Sequence, residues 1–300
     1  MAAPRSVIVF GATGGVGSAA ALKAYQEGVK VTLAVRDPSK PIPSLTDISL
    51  ERVQADLTKP ETVQAAVRQS GAKSAFIYAI HGAADGMRST MEALEEGGIE
   101  AVVLLSSFIV QGNIRAIPPS EVVPYLHAKV EIALEDVFGD RCCAVRPGYF
   151  SSNTLQYKDS ITQGEVRLPN PDIEFDWISP EDIGRVAGTI LAHGTQERSV
   201  PLLGPERLSL KDVLGLISRI LSKQINVTTL GKEEAVEDMK QKGLPEVAAK
   251  WFVGSVTSQK SFIWDSPACQ DGVVNVQKYT HESPKRLEQW LEENKQKFFS

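Results

Sequence analysis

Val7-Ile8-Val9-Phe10-Gly11-Ala12-Thr13-Gly14-Gly15-Val16-Gly17 is the stretch that decides the fold. A strand-length apolar run leads into glycines at 11, 14 and 17. Gly11 permits a tight turn, Gly14 lets backbone approach a pyrophosphate, and Gly17 lets the following helix pack close to the strand. The helix N-terminus then offers unpaired N–H groups and partial positive charge to phosphate. Thr13, Gly15 and Val16 complete that cradle.

Outward from this loop, apolar runs alternate with amphipathic stretches. The runs predict strands over 6–10, 30–35, 51–54, 74–80, 101–105 and 142–146. Helices are predicted near 15–27, 60–69, 84–97 and 121–138. Strands alternating with helices imply right-handed crossovers and a parallel sheet. Val102-Val103-Leu104-Leu105 is apolar throughout, as a strand covered on both faces should be. The regular alternation stops after Arg146. Residues 151–180 read as loop and short extended pieces. Further helices are predicted over 182–193, 210–221, 232–242, 245–256 and 283–298, with strands over 200–203 and 225–229. Ser179-Pro180-Glu181-Asp182 opens the first of these helices, with Ser179 at the N-cap and Pro180 at the first helical position. The expected class is α/β, a Rossmann-type doubly wound parallel sheet with a smaller, mostly helical C-terminal substrate domain. Residues 1–150 form the nucleotide domain, 180–205 return to it, and 151–300 form the smaller substrate-binding or lid region. Ligand should bind between the two, at the carboxyl ends of the strands.

Composition excludes several classes. The chain has 300 residues, 42% hydrophobic and 23% charged, with net charge −5 and a pI near 5.6. It has no basic run suited to nucleic acid and no apolar run long enough for a transmembrane helix. The apolar run after Arg5 is too short for a signal peptide, and Phe298-Phe299-Ser300 matches no address signal. Cys142, Cys143 and Cys269 make no disulfide framework. Free thiols point to a reducing, cytoplasmic setting, and Cys142 and Cys143 read as inert and buried. No His/Cys/Asp cluster has metal spacing, so no metal is expected.

The end of the second strand points to the cofactor. Sites for NAD place an acid there for the ribose 2′-OH. This chain has Arg36, 19 residues after Gly17, followed by Asp37-Pro38-Ser39-Lys40. A guanidinium and an ammonium suit a 2′-phosphate, so the expected cofactor is NADP(H). Asp37 argues the other way. Asp56, in Ala55-Asp56-Leu57, either accepts from the adenine amino group or caps the next turn. Tyr78-Ala79-Ile80-His81 ends the fourth strand, where backbone should pass the nicotinamide ribose.

The glycine motif, Arg36, Ala55-Asp56-Leu57, Leu105-Ser106-Ser107, His127-x-Lys129 and Arg146-Pro147-Gly148-Tyr149-Phe150 together resemble the NmrA-like branch of the atypical short-chain dehydrogenases/reductases. The resemblance covers about residues 6–205 and implies either a reductase or a non-enzymatic redox sensor. It includes fungal tailoring enzymes of secondary metabolism. It places Pro147 and Gly148 in a turn over the nicotinamide, Phe150 beside the ring, and Ser107 as the substrate-orienting hydroxyl, with Ser106 its neighbour at the cofactor. Tyr125-Leu126-His127-Ala128-Lys129 is a Tyr-x-x-x-Lys at a helix start, with both side chains on one face. The ammonium would lower the tyrosine pKa and bond the nicotinamide ribose, making Tyr125 a proton donor. Pro124 puts Tyr125 in the first turn, where it could point away, and His127 is a substitute acid or structural. Asp182 reads as structural.

His81, Phe108, Tyr149, Phe150, Asn153, Trp177, Trp251 and Phe252 are candidates for the substrate pocket, some of the aromatics being core. Residues 109–121, with Pro118-Pro119, are a possible lid. An aromatic wall suits an apolar, ring-bearing metabolite. Two functions compete: an NADPH-dependent reductase of C=O, C=N or C=C, which in a tailoring role could also steer a cyclisation, and an NADP(H) redox sensor acting through a protein partner. Tyr125 favours the reductase. Oligomeric state is left open.

Overall fold

The computed structural model describes residues 6–258 and 268–299. The readings of Arg5 and Ser300 lie outside them. The first half runs β1 (Ser6–Phe10), α1 (Gly15–Gln26), β2 (Lys30–Val35), β3 (Glu51–Gln54), α2 (Pro60–Ser70), β4 (Ser74–Tyr78), α3 (Arg88–Gly97), β5 (Ala101–Leu105), α4 (Val122–Phe138) and β6 (Cys142–Pro147). The second half holds α5 (Lys158–Gln163), β7 (Glu165–Leu168), β8 (Glu174–Phe175), α6 (Pro180–His193), β9 (Ser199–Leu202), β10 (Leu208–Ser209), α7 (Leu210–Ile220), β11 (Asn226–Thr229), α8 (Lys232–Gln241), α9 (Glu246–Thr257), α10 (Ala268–Thr280) and α11 (Leu287–Asn294).

Seven parallel strands form one sheet in the order β3-β2-β1-β4-β5-β6-β9. Chain order reverses at β1, which pairs with β2 on one side and β4 on the other. The glycine loop leaves β1 at that switch point, where sheets of this kind bind ligand. α1 and α6 cover one face around Val7, Val9, Leu33 and Val200. α2, α3 and α4 cover the other around Ile8, Ile77, Leu104 and Leu134.

Small residues bring α6 against α1. A Cβ on Gly184 would collide with Val16 and Ala19, and one on Gly188 with Ala20 and Lys23. Ser179 caps α6, accepting from the Asp182 N–H at 3.0 Å. The buried Asp182 carboxylate pairs with Arg185 and accepts from the Lys285 N–H at 2.8 Å. Asp182 thus ties α6 to the chain just before α11.

The structure departs from expectation in places. β4 ends at Tyr78, so Ala79 and Ile80 lie in the following loop. α3 starts at Arg88, because Met87 is left-handed (φ 67°) and Asp85 caps the helix by accepting from the Ser89 N–H at 2.9 Å. Residues 151–157 form a 3-10 helix instead of loop. β7 pairs with β11 and β8 with β10. These pieces, with α7, α9 and α11, enclose a separate core around Trp177, Leu214, Trp290 and Phe298. α10, within the stretch expected to form the smaller domain, docks instead on β9. Asn275 Nδ2 donates to the Pro201 carbonyl at 2.9 Å, and the Leu203 N–H donates to the Gly272 carbonyl at 2.9 Å. The last helix is shorter than the predicted 283–298, with a 3-10 turn over Lys295–Phe298.

Candidate active site

Gly11 turns with φ +75°, and the Gly14 N–H donates to the Gly11 carbonyl at 3.0 Å. α1 starts after Gly14 with no side chain capping it, so its first N–H groups remain for a ligand. A Cβ on Gly17 would collide with the Gly11 carbonyl. Thr13, Gly14 and Gly15 are exposed, while Val16 and Gly17 are buried. Gly15 faces Pro180 at the start of α6.

A groove of about 480 Å³ opens beside this loop, bounded by Thr13, Arg36, Lys40, Asp56, Leu57 and Tyr78. The turn after β2 is pinned from β3. Arg52 donates to the carbonyls of Pro38 (3.1 Å) and Lys40 (2.7 Å), and Gln54 to that of Arg36 (3.0 Å). Asp37 accepts from the Ser39 N–H (3.0 Å) and hydroxyl (2.6 Å), which hold its carboxyl below the usual range. Asp37 is therefore committed to its own turn. Among the described residues Arg36 and Lys40 form no salt bridge, and both face the groove. Asp56 accepts from the Thr58 N–H (2.9 Å) and hydroxyl (2.8 Å), the capping alternative, while still lining the groove. Leu57 is buried there, its carbonyl accepting from Thr90 at 2.9 Å. Sequence reasoning missed Tyr78 as a groove residue. A Cβ on Gly11 would sit 2.8 Å from the Tyr78 ring. An aromatic at the end of the strand beside β1 was the available signal. Ala79 and Ile80 follow it, the Ala79 N–H donating to the Leu105 carbonyl at 3.3 Å. Both pack against the α2–α4 face of the core.

On α4, Glu131 sets the rotation. It is 3% exposed, accepts from the Ser106 hydroxyl, and accepts from Arg146 Nε at 3.1 Å and from the other arm of the guanidinium. Ser106 thus buries its hydroxyl against Glu131. Ser107 instead lines a pocket. At 3.6 residues per turn, His127 is about 40° from Glu131 around the helix, Tyr125 about 120° and Lys129 about 160°. Lys129 donates to the Ala84 carbonyl at 3.0 Å, in the loop after β4. Among the described residues the Tyr125 hydroxyl makes no hydrogen bond, and neither side chain lines the pocket. His127 packs on His81, with ring centroids 4.3 Å apart and planes at 70°.

The pocket, about 210 Å³, lies over the carboxyl ends of β5 and β6. Ser107, Phe108, Pro147 and Gly148 form one side, Tyr149 and Phe175 another, and Trp251 and Phe252 of α9 close it. Trp251 Nε1 donates to Glu121 at 3.4 Å, tying α9 to the start of α4. The loop expected as a lid is packed down, with Val110 and Ile114 buried against Ala128.

The sequence matches the NmrA-like family over residues 4–288. It is 36% identical over 282 residues to a nitrogen metabolite regulation-like protein, bik4, of Gibberella fujikuroi, spanning 85% of this chain and 86% of that one. The chain belongs to the NmrA-like family. An NAD(P)H azoreductase of Xenophilus azovorans is 25% identical over 249 residues, 81% of this chain and 83% of the relative. Among solved structures, an NADPH-dependent quinone oxidoreductase of Escherichia coli in complex with NADPH superposes with TM-score 0.73 at 18% identity, covering 98% of this chain and all of that one. NmrA, a negative transcriptional regulator, gives 0.72 at 19%, covering 97% and 95%. These two likenesses show the fold.

In this NmrA-like chain the predicted pocket residues divide. Phe108, Tyr149 and Trp251 line the pocket. Trp177 does not. It is wholly buried behind Phe175, its indole N–H donating to the Leu208 carbonyl at 2.8 Å. Phe150 packs on the sheet core and bridges to Ile178. Asn153 does not line the pocket, and Gln156 Nε2 donates to the Tyr149 hydroxyl at 3.0 Å, holding that wall residue. Tyr149 stacks on Phe175 at 4.0 Å, and burial pushes its phenol up.

Asp176, which sequence reasoning missed, lies beneath. It accepts from the Tyr149 N–H (2.8 Å) and the Gly204 N–H (2.9 Å), joining the β6 and β9 loops. Burial raises its carboxyl to about 6. A Cβ on Gly148 would strike this carboxylate. A larger cavity, about 580 Å³, lies at the amino ends of β4 and β5, far from the glycine loop. Its rim charges are paired, Lys73 with Glu100 and Arg141 with Glu95. Burial raises Cys142 and pushes Cys143 to about 12, so neither thiol there is activated.

Proposed function

We propose that this protein is an NADP(H)-dependent oxidoreductase that reduces a C=O, C=N or C=C bond in a small, mostly apolar, ring-bearing metabolite. One observation carries the reading. A groove lined by Arg36 and Lys40, which form no salt bridge among the described residues, opens at the ends of β1 to β4, and an aromatic pocket lies over the ends of the neighbouring β5 and β6. Relatives named as an azoreductase and a quinone oxidoreductase support it.

The residues fit the cofactor. The glycine loop has no room for a side chain at Gly11 or Gly17, and it would offer N–H groups to the pyrophosphate. Arg36 and Lys40 would hold the 2′-phosphate, while Asp56, Leu57 and Tyr78 would flank the adenosine. Pro147 and Gly148 would border the nicotinamide. Bound NADPH supplies the hydride. Ser107 orients the reacting group, and Tyr149, Phe175, Trp251 and Phe252 exclude water from it. The rotation of α4 gives Tyr125 no support as proton donor, and Lys129 is engaged at Ala84.

A place in natural-product tailoring, with the same pocket steering a cyclisation, is the finer form of the proposal. The second reading is a redox sensor that binds NADP(H) and signals to a protein partner. The displaced Tyr125 and Lys129 and the likeness to NmrA favour it. The two separate in one experiment. The reductase oxidises NADPH when mixed with a panel of planar quinones and azo compounds. The sensor shows no oxidation, a strong preference between NADPH and NADP⁺, and a retained protein partner.

A further inference from the structure

Glu131 reaches Ser106, the first residue beyond β5, and Arg146 near the end of β6. It therefore marks the level of the sheet's carboxyl edge. His127 is one helical turn closer to the start of α4, on nearly the same face, so it stands about 6 Å above that edge. The contact with His81, three residues past the end of β4, agrees with this height. Tyr78, which ends β4, lines the dinucleotide groove, and Val123, one turn up from His127, lines the apolar pocket. The two imidazoles line neither cavity themselves, but along the chain His81 lies three residues from a groove residue and His127 four residues from a pocket residue. His127 Nδ1 is buried and finds no partner among the described residues, and buried polar nitrogens without partners are rare in folded proteins.

We propose that His81 and His127 form the hydrogen-bonding subsite for the reacting group of the substrate, an uncharged carbonyl or quinone-type oxygen, with His127 donating an N–H to it. The proposal rests on the reductase reading only for calling that ligand a substrate. The surroundings select the charge of the ligand. Burial and the neighbouring His81 push His127 down to about 3, and burial lowers His81, so both imidazoles are neutral at physiological pH. Charged groups on the same elements are engaged elsewhere. Lys129 bonds the Ala84 carbonyl, Asp85 caps α3, and Glu131 is paired with Arg146. Within the pocket Glu174 is paired with Arg207, and among the described residues no lysine or arginine lines the wall. Neutral N–H donors beside an aromatic wall suit a neutral acceptor and give a carboxylate or phosphate no counter-charge.

The test uses the full chain loaded with NADP⁺ and labelled at its four histidines, with menadione as the probe. Titration should shift the ring-nitrogen resonances of His127 and His81 and leave those of His193 and His281 in place. His127→Phe should weaken menadione binding at least about tenfold, His127→Asn should restore part of it, and NADP⁺ affinity should stay within about twofold. His193→Gln, at the surface pair with Glu27, should change nothing. Unshifted His81 and His127 signals, menadione affinity unchanged in His127→Phe, or no menadione binding would each overturn the proposal. Menadione-dependent NADPH oxidation, followed separately, keeps the two claims apart. Binding through the pair with no NADPH oxidation by menadione or by any other compound of the panel would leave the subsite standing and remove the reductase reading.

Discussion

The guanidinium of Arg36 stands at the end of β2 beside a turn that Arg52, Gln54 and Asp37 hold in place. Arg36→Ala should weaken NADPH binding about tenfold or more, roughly 1.4 kcal/mol, and change NADH binding less than about twofold, as read by calorimetric titration. Equal losses would remove the 2′-phosphate assignment. Asp176 gives a second test at this scale. Its carboxyl sits at about 6 in the folded protein against an ordinary 3.8. Between those values the folded state holds a proton that the unfolded chain has released, so this group adds stability as pH falls through the window. Urea unfolding of wild type and Asp176→Asn should show the difference growing in favour of wild type from about pH 7 to about pH 5. A pH-independent difference would contradict it. The turn and helix start of the glycine loop and the place of Arg36 after β2 were legible in the sequence because they are local: a strand, a turn, a helix start and one cation. Trp177 and Asp176 were not. An aromatic does not announce whether it is a wall or the core behind it, and an acid between Phe175 and Trp177 gains its meaning from N–H groups of residues 149 and 204.

Among the elements, α4 shows how spacing and orientation differ. Tyr125-x-x-x-Lys129 fixes which two side chains share a face, and that much was readable. The direction of the face is set by Glu131, buried against Arg146 in β6 and Ser106 just beyond β5. No window of sequence contains that contact. Glu131→Ala should cost about 3–5 kcal/mol in urea unfolding, because Arg146 would be left unpaired at the sheet edge. A cost below about 1 kcal/mol would mean that the pair does not anchor α4. Tyr125→Phe, about 120° around α4 from Glu131 and outside the pocket lining, should keep at least about half of any NADPH-oxidising activity, whereas a true proton donor typically contributes 10²-fold or more. α3 and α10 teach the same lesson. The start of α3 moved because Met87 took a left-handed conformation, and α10 returns to β9 over a long sequence separation.

For the whole molecule, the sheet order places the glycine loop at its switch point, and α9 reaches over the ends of β5 and β6 to close an aromatic pocket beside it. The parallel sheet was readable from the alternation of strands and helices. The pocket was not, because its walls come from residues 107–109, 147–149, 173–175 and 251–256. Among the described residues no helix is long and apolar enough to cross a membrane. The proposed reduction, by NADPH in the groove, of an apolar ring-bearing compound in this pocket is read by single-turnover decay of the nicotinamide absorbance after NADPH-loaded protein is mixed with menadione, in wild type and Trp251→Ala. The predicted result is stoichiometric oxidation, slowed at least about tenfold in the variant. Bound NADPH that stays unoxidised with menadione and with every quinone and azo compound of the panel would contradict it.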